Sequence, residues 1–321
     1  MLTRRNFVTG AIATGVLVGN PPSFAKASQP ATQVNFEIPP HPCDCHTHFY
    51  GDVKEYPLSP QHLYTPEPLQ PEEMASLHRA LHMERVVIVT PSVYGPNNNG
   101  ATLLGMKARG PNAHGIAVVN DKTPDSDFDA MYRGGFRGAR IIAGISGPVD
   151  PASARPIYQA AAARFKNHNW HIQIYTNLGV ISGIKDLVLT SPVPTVFDHF
   201  GGLEAALGLN QPGFADLLDM VRSGSAYVKI SGAYRSSTKG PDYPDMVPFA
   251  KALIEANPDR IVWGTDWPHP AAAAAGTKPT DPMPEFAIDD GRLLNQLPVW
   301  APDPAIRKKI LVDNPARLYG F

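Results

Sequence analysis

Cysteine is nearly missing: the 321 residues hold two, Cys43 and Cys45. They sit two apart in an apolar run that predicts a strand, so their Cα atoms lie about 6.6–7 Å apart on one face. That is at or beyond the reach of a disulfide, so no structural bridge is expected. Two thiols are also too few for a zinc ribbon. Charge is scarce as well. Charged residues make up 18 %, and the formal net charge is −1. That balance excludes the basic footprint of a nucleic-acid or anionic-membrane binder. No apolar run approaches the about 20 residues of a spanning helix. No G-x-G-x-x-G or Walker sequence follows a strand, which argues against a dinucleotide or P-loop fold. No internal repeat is found, and the alanine run at 271–275 carries no information.

What the chain does have is apolar content, 43 %, and 34 prolines. That pairing fits a large core with long ordered loops better than disorder. The start reads as an address. Arg4-Arg5-Asn6-Phe7 is a twin-arginine pattern, Val8 to Val18 is a short apolar stretch, and Ala25-Lys26-Ala27 offers a cleavage site. Residues 1–27 are therefore expected to be a twin-arginine signal peptide, with the mature protein periplasmic. Residues 28–40 read as a polar leader, and 41–321 as one domain.

Eight apolar, β-branched runs follow: Cys43–Phe49, Arg85–Ser92, Gly115–Asn120, Phe136–Ile142, Trp170–Thr176, Pro194–Phe200, Ala226–Gly232 and Ile261–Asp266. Near-continuous apolar strands suit a parallel sheet covered on both faces. Helical patterns lie between several of them, at Gln70–Met83, Asp150–His168, Gly213–Arg222 and Tyr243–Asn257, and another at Asp303–Val312 follows the last. Asp150 reads as an N-cap with Pro151 in the first turn. Alternation of eight strands with helices predicts an α/β fold, a closed barrel or a doubly wound sheet; with no glycine-rich phosphate loop, the TIM type, a (β/α)8 barrel, is the expectation.

Chemistry gathers at the predicted strand ends. Asp44-Cys45-His46-Thr47-His48 puts two imidazoles on one face of the first strand, with Asp44 expected beside them. The sixth strand ends Asp198-His199-Phe200, and the eighth ends Gly264-Thr265-Asp266-Trp267-Pro268. Alone, His199 reads equally as a satisfied core histidine, and the plain alternative for Asp266 is a helix cap, against which Pro268 and the neighbouring tryptophans argue. Together they form a convergent set, because barrel active sites are built from C-terminal strand ends.

That combined set resembles the amidohydrolase superfamily, and within it the amidohydrolase-2 branch. Further stretches are similar to its lactonase group, which takes in pyrone-dicarboxylate lactonase, sulfomuconolactone hydrolase and galactarolactone isomerase. They are Thr90–Gly95, Phe136–Arg140, His171–Tyr175 and Val228–Gly232. The resemblance spans essentially all of the chain after the leader. It implies an enzyme that opens a small acidic lactone or sugar-acid lactone. It implies Asp266 as general base for water, and His46, His48 and His199 as the groups that polarise the carbonyl. Ser92, Tyr94, Arg140 and Tyr175 are the implied substrate contacts, with Arg235 a further one. Ordinary packing or an ion pair would account for the tyrosines and Arg140 equally well one by one.

The sequence departs from pyrone-dicarboxylate lactonase in two places. A second arginine is missing from Ile141–Ser146, and Gly201-Gly202 stand where another would follow the strand-6 histidine. A substrate with fewer anionic groups is expected. Members of the group work without a metal, and no lysine or glutamate ends a middle predicted strand. A metal-independent site is the expectation, with Zn2+ or Mn2+ on His46, His48, His199 and Asp266 as the alternative. Lactone isomerisation, metal-dependent decarboxylation and a non-catalytic periplasmic binding role are the competing readings.

Overall fold

Eight short strands, all parallel, pair in chain order: β1 Cys43–Thr47, β2 Arg85–Val89, β3 Ala113–Ala117, β4 Phe136–Ile142, β5 His171–Tyr175, β6 Thr195–Phe197, β7 Ala226–Ser231 and β8 Ile261–Gly264. The computed structural model describes residues 27–142, 150–271 and 276–321. The expected signal peptide, apart from Ala27, lies outside the described residues, as does the alanine run from 272. The sheet closes on itself at one mouth. Thr47 bridges Trp267, the Asp266 amide donates to the His46 carbonyl at 2.7 Å, and the His48 amide donates to the Trp267 carbonyl at 2.8 Å.

The strands are buried on both faces, which is why they read as unbroken apolar runs. Val87, Val89, Ile116, Val196, Tyr227 and Val262 fill the barrel with the free thiols of Cys43 and Cys45. The alternate residues, among them Val86, Ile88, Phe197, Val228 and Trp263, pack with Leu77, Leu217 and Leu253 of the helical layer. Those leucines belong to helices α1 Pro71–Ala80, α3 Phe214–Arg222 and α4 Val247–Ala256, while α2 Pro151–Phe165 packs on β5. The Asp150 side chain accepts from the Ala152 amide with Pro151 in the first turn, as the spacing predicts. Such a cap contributes about 1 kcal/mol.

The chain departs from the expected boundaries where the site is built. β6 stops at Phe197 and β8 at Gly264; His199 and Asp266 then adopt left-handed backbone, with φ of 47° and 68°. In β1 a bulge between Asp44 and Thr47 shifts the register against β2. The expected sharing of one face by Asp44, His46 and His48 is corrected by it. The bulge turns His46 toward the barrel axis while Asp44 faces away. Asp44 accepts from the Thr265 amide at 3.0 Å, from the Thr265 hydroxyl at 2.7 Å and from the His46 amide at 3.1 Å. It therefore holds β1 to the end of β8 and takes no part in the mouth.

The expected leader is packed against the barrel. The Ser28 carbonyl accepts from Trp267 Nε1 at 2.8 Å, and the Thr32 hydroxyl donates to Asp289 at 2.6 Å. Over the mouth, the loops after β1 and β8 pair at Thr65, whose amide donates to the Asp281 carbonyl at 2.8 Å.

Candidate active site

Imidazoles from three places converge on one carboxylate oxygen. Asp266 Oδ1 lies 3.6 Å from His46 Nε2, 3.4 Å from His48 Nε2 and 3.7 Å from His199 Nε2. All four side chains are buried. The two oxygens of Asp266 differ in kind. Oδ2 accepts from the Tyr234 hydroxyl at 2.7 Å and from Arg235 Nε at 2.6 Å, whereas Oδ1 has no hydrogen-bond partner among the described residues. Each imidazole is oriented from behind. His48 Nδ1 faces the Val89 carbonyl at 2.8 Å, so it must carry hydrogen. His199 Nδ1 meets the Ser231 hydroxyl at 2.9 Å.

A second polar layer lies deeper in the barrel. Asp198 accepts from Arg140 Nε and from Gln173 Nε2, both at 3.0 Å. Lys229 Nζ donates to Gln173 Oε1 at 2.7 Å, and lies 3.4 Å from Asp198 Oδ1 and 3.3 Å from His46 Nδ1. A fully buried lysine is tolerable only because this cluster satisfies it.

The charges follow from these contacts. Burial opposes ionisation of Asp266, but the Arg235 guanidinium outweighs it and holds the carboxyl well below its usual range. Asp198 behaves likewise, with Lys229 and Arg140 outweighing burial. Burial pushes His46 well below its ordinary value, and Lys229 adds to that; burial brings His199 down to about 4.

Above this floor lies a cavity of about 520 Å³. Ser92, Arg140, Tyr175, His199, Arg235 and Asp266 line it, with His48 and Tyr64. The Arg140 guanidinium sits 5.1 Å over the Tyr175 ring, a cation–π contact. Of the residues expected at the site, His46 and Tyr94 do not line the cavity; His46 lies beneath it against Asp266. The turn Ser92–Tyr94 points Ser92 inward and carries Tyr94 aside, where its hydroxyl accepts from the Gly51 amide at 2.9 Å. The segment Ile141–Ser146, which lacks the second arginine of pyrone-dicarboxylate lactonase, runs into residues 143–149, outside the described residues.

Sequence reasoning placed Asp198, Gln173 and Lys229 in matching stretches but gave them no role, and it missed Tyr234. Lys229 carried a signal, since a lysine between Val228 and Ile230 is out of place in a buried strand. Tyr234 carried none.

A profile of the amidohydrolase family, the Amidohydro_2 group, matches residues 43–321, which is the whole barrel. The chain belongs to the amidohydrolase family. Among amidohydrolase relatives, a 4-sulfomuconolactone hydrolase of Rhizobium radiobacter is 34 % identical over 94 % of this chain and 97 % of its own length. A 2-pyrone-4,6-dicarboxylate hydrolase of Comamonas testosteroni is 32 % identical over 92 % and 94 %. The crystal structure of Agrobacterium tumefaciens ATU3138, an apo structure, superposes with a TM-score of 0.72 at 28 % identity, covering 88 % of this chain and 97 % of that one.

The donor set also fits a cation. Among the described residues, His46, His199 and Asp266 bring ligand atoms within 4.8 Å of one another. His46 Nε2 and Asp266 Oδ1 are buried without partners, and two imidazoles with a carboxylate suit Zn2+ or Mn2+. His48 is not part of that group of three, which narrows the expected four ligands.

Proposed function

We propose that this amidohydrolase opens a small lactone carrying one carboxylate, by attack of water on the ring carbonyl. The observation that carries the reading is the unpartnered Asp266 Oδ1 at the floor of the cavity, faced by three imidazole nitrogens. With Oδ2 occupied by Tyr234 and Arg235, Oδ1 is the oxygen that takes the proton from water. The water oxygen bonds to the carbonyl carbon and the ring C–O bond breaks. The departing oxygen receives a proton, and the acid formed releases one to solvent at neutral pH. Hydrogens on Nε2 of His46 and His199 stabilise the developing oxyanion, because their Nδ1 atoms can accept from Lys229 and Ser231; His48, with its hydrogen on Nδ1, turns an accepting Nε2 toward the water. Donors aimed at such charge are worth about 10²–10³-fold each. The lactonase names of the relatives support this reaction class.

The charge balance supports the substrate class. Arg140, Lys229 and Arg235 stand against Asp198 and Asp266. With His46 and His199 neutral, one positive charge is in surplus, and Arg140 presents it beside Tyr175. That suits one carboxylate, with Ser92 and Tyr64 left to meet hydroxyls or a ring oxygen. Zn2+ or Mn2+, if held by His46, His199 and Asp266, would polarise the carbonyl and lower the pKa of water.

The test is a panel of monocarboxylate, dicarboxylate and sugar-acid lactones read by proton release, with and without chelator. The parent is expected to release acid from monocarboxylate lactones. Asp266→Asn is expected to lose about 10²–10⁴-fold in kcat, the worth of a general base, while still binding the lactone. Absence of release from every lactone overturns the proposal. Loss of activity in chelator, restored by Zn2+ or Mn2+, assigns the metal.

A further inference from the structure

Behind Asp266 a line of buried polar groups runs away from the cavity. Tyr234 OH lies 2.7 Å from Asp266 Oδ2 and 3.1 Å from His269 Nδ1. His269 Nε2 lies 3.0 Å from Asp290 Oδ2, on the first residue of the short helix Asp290–Leu294. His269, Tyr234 and Asp290 are all buried, and Phe286 packs against the Tyr234 ring with centroids 4.9 Å apart. None of the three lines the cavity itself. His269 stands three residues after Asp266 in the same turn and has a left-handed φ of 68°.

The hydrogens in this line can be placed by counting donors. An ionised Asp266 only accepts, so the Tyr234 hydroxyl must donate to it. The Tyr234 oxygen can then only accept from His269, so Nδ1 must carry hydrogen. Whether Nε2 donates to an Asp290 carboxylate or accepts from an Asp290 carboxyl, Nδ1 stays a donor. The opposite ring arrangement, with hydrogen on Nε2 alone, would draw the Tyr234 hydroxyl to Nδ1. Asp266 Oδ2 would then keep Arg235 alone, and its two oxygens would compete for the incoming proton.

We infer that His269 and Asp290 are positioning residues: they fix the Tyr234 hydroxyl on Asp266 Oδ2 and so reserve Oδ1 for the water. The inference goes deeper into the proposed lactone-opening site and rests on that reading for its kinetic half only.

The test joins NMR of the substrate-free protein to kinetics. In the parent, 15N shifts of the His269 ring are expected to report a protonated Nδ1. In Tyr234→Phe, whose ring still fills the site, that Nδ1–H signal is expected to move as its acceptor is lost. The same variant is expected to lower kcat about 10- to 100-fold, the worth of one hydrogen bond to a carboxylate, with KM within about threefold. Asp290→Leu is expected to lower kcat similarly. Asp290→Asn should recover most of that loss, because its amide can donate to Nε2 and keep hydrogen on Nδ1. A helix-stabilising role for Asp290 would not produce that recovery together with a protonated Nδ1. An unprotonated Nδ1 in the parent, or an unchanged kcat in Tyr234→Phe, overturns the inference. If the parent opens no lactone, the functional reading falls while the ring shifts still decide the hydrogen placement.

Discussion

At the residue scale, Arg140 shows how one side chain serves two environments. Its Nε is committed to Asp198 at 3.0 Å, while the guanidinium stacks on Tyr175 at the cavity wall. A planar fork can do both at once, and a lysine cannot. Arg140→Met is therefore expected to raise KM for a carboxylate-bearing lactone about 10- to 100-fold, with a smaller fall in kcat. Arg140→Lys should restore little of that, because the ammonium cannot pair Asp198 and the ligand together. Equal KM values in Arg140→Met and the parent would show that the carboxylate is held elsewhere. Arg140 was legible through the family resemblance of the stretch Phe136–Arg140. Its tie to Asp198 was not, since the two lie 58 residues apart.

The elements place these side chains by their ends and irregularities. His199 and Asp266 are delivered by left-handed turns after β6 and β8, and His46 by the bulge in β1. Sequence periodicity finds the strands but is blind to such breaks, because a bulge depends on the partner strand. The helix Gly100–Arg109 went unread for a local reason: glycines at its start and middle mask the apolar pattern. Gly105 is there because a Cβ would come within 2.9 Å of the Phe49 ring. At the closure of the barrel, a Cβ on Gly264 would sit 2.7 Å from the His46 amide and 2.8 Å from His46 Cβ. Gly264→Ala must push β8 from β1. It is expected to cost about 1–3 kcal/mol and to lower the melting temperature by several degrees. It should also reduce kcat beyond what lost folding explains, since the displaced residue is His46. A thermal scan with kinetics below the transition checks this. A variant as stable and active as the parent would mean that the closure is looser than described.

On the scale of the whole molecule, the buried histidines make stability depend on acid. Burial brings His199 down to about 4 and His171 to about 3, from 6.5 in the exposed chain. Below pH 6.5 the unfolded chain binds protons that the folded one refuses. Stability is then complete above about 6.5 and falls as the pH drops toward 4. At pH 5 the loss is on the order of 2 kcal/mol for each of the two. The carboxyls of Asp198 and Asp266 are held low, so their contribution is lost only in stronger acid. Denaturant midpoints taken at pH 7, 6 and 5 are expected to fall steadily with unchanged slope. A midpoint flat across that range would place water or a charge partner beside these rings.

The amino-acid sequence alone determined the alternation of strands and helices, and with it the barrel. It also marked His46, His48, His199 and Asp266 as the residues worth watching, because strand ends and residue chemistry are local properties of the chain. Only the tertiary structure decided that Asp44 faces away and that Tyr94 serves a loop. Only it brought Lys229, Asp198 and Gln173 under the imidazoles, and Tyr234, His269 and Asp290 behind the carboxylate. Contacts across a closed barrel join strands far apart in sequence, and which atom ends up facing which follows from the closure.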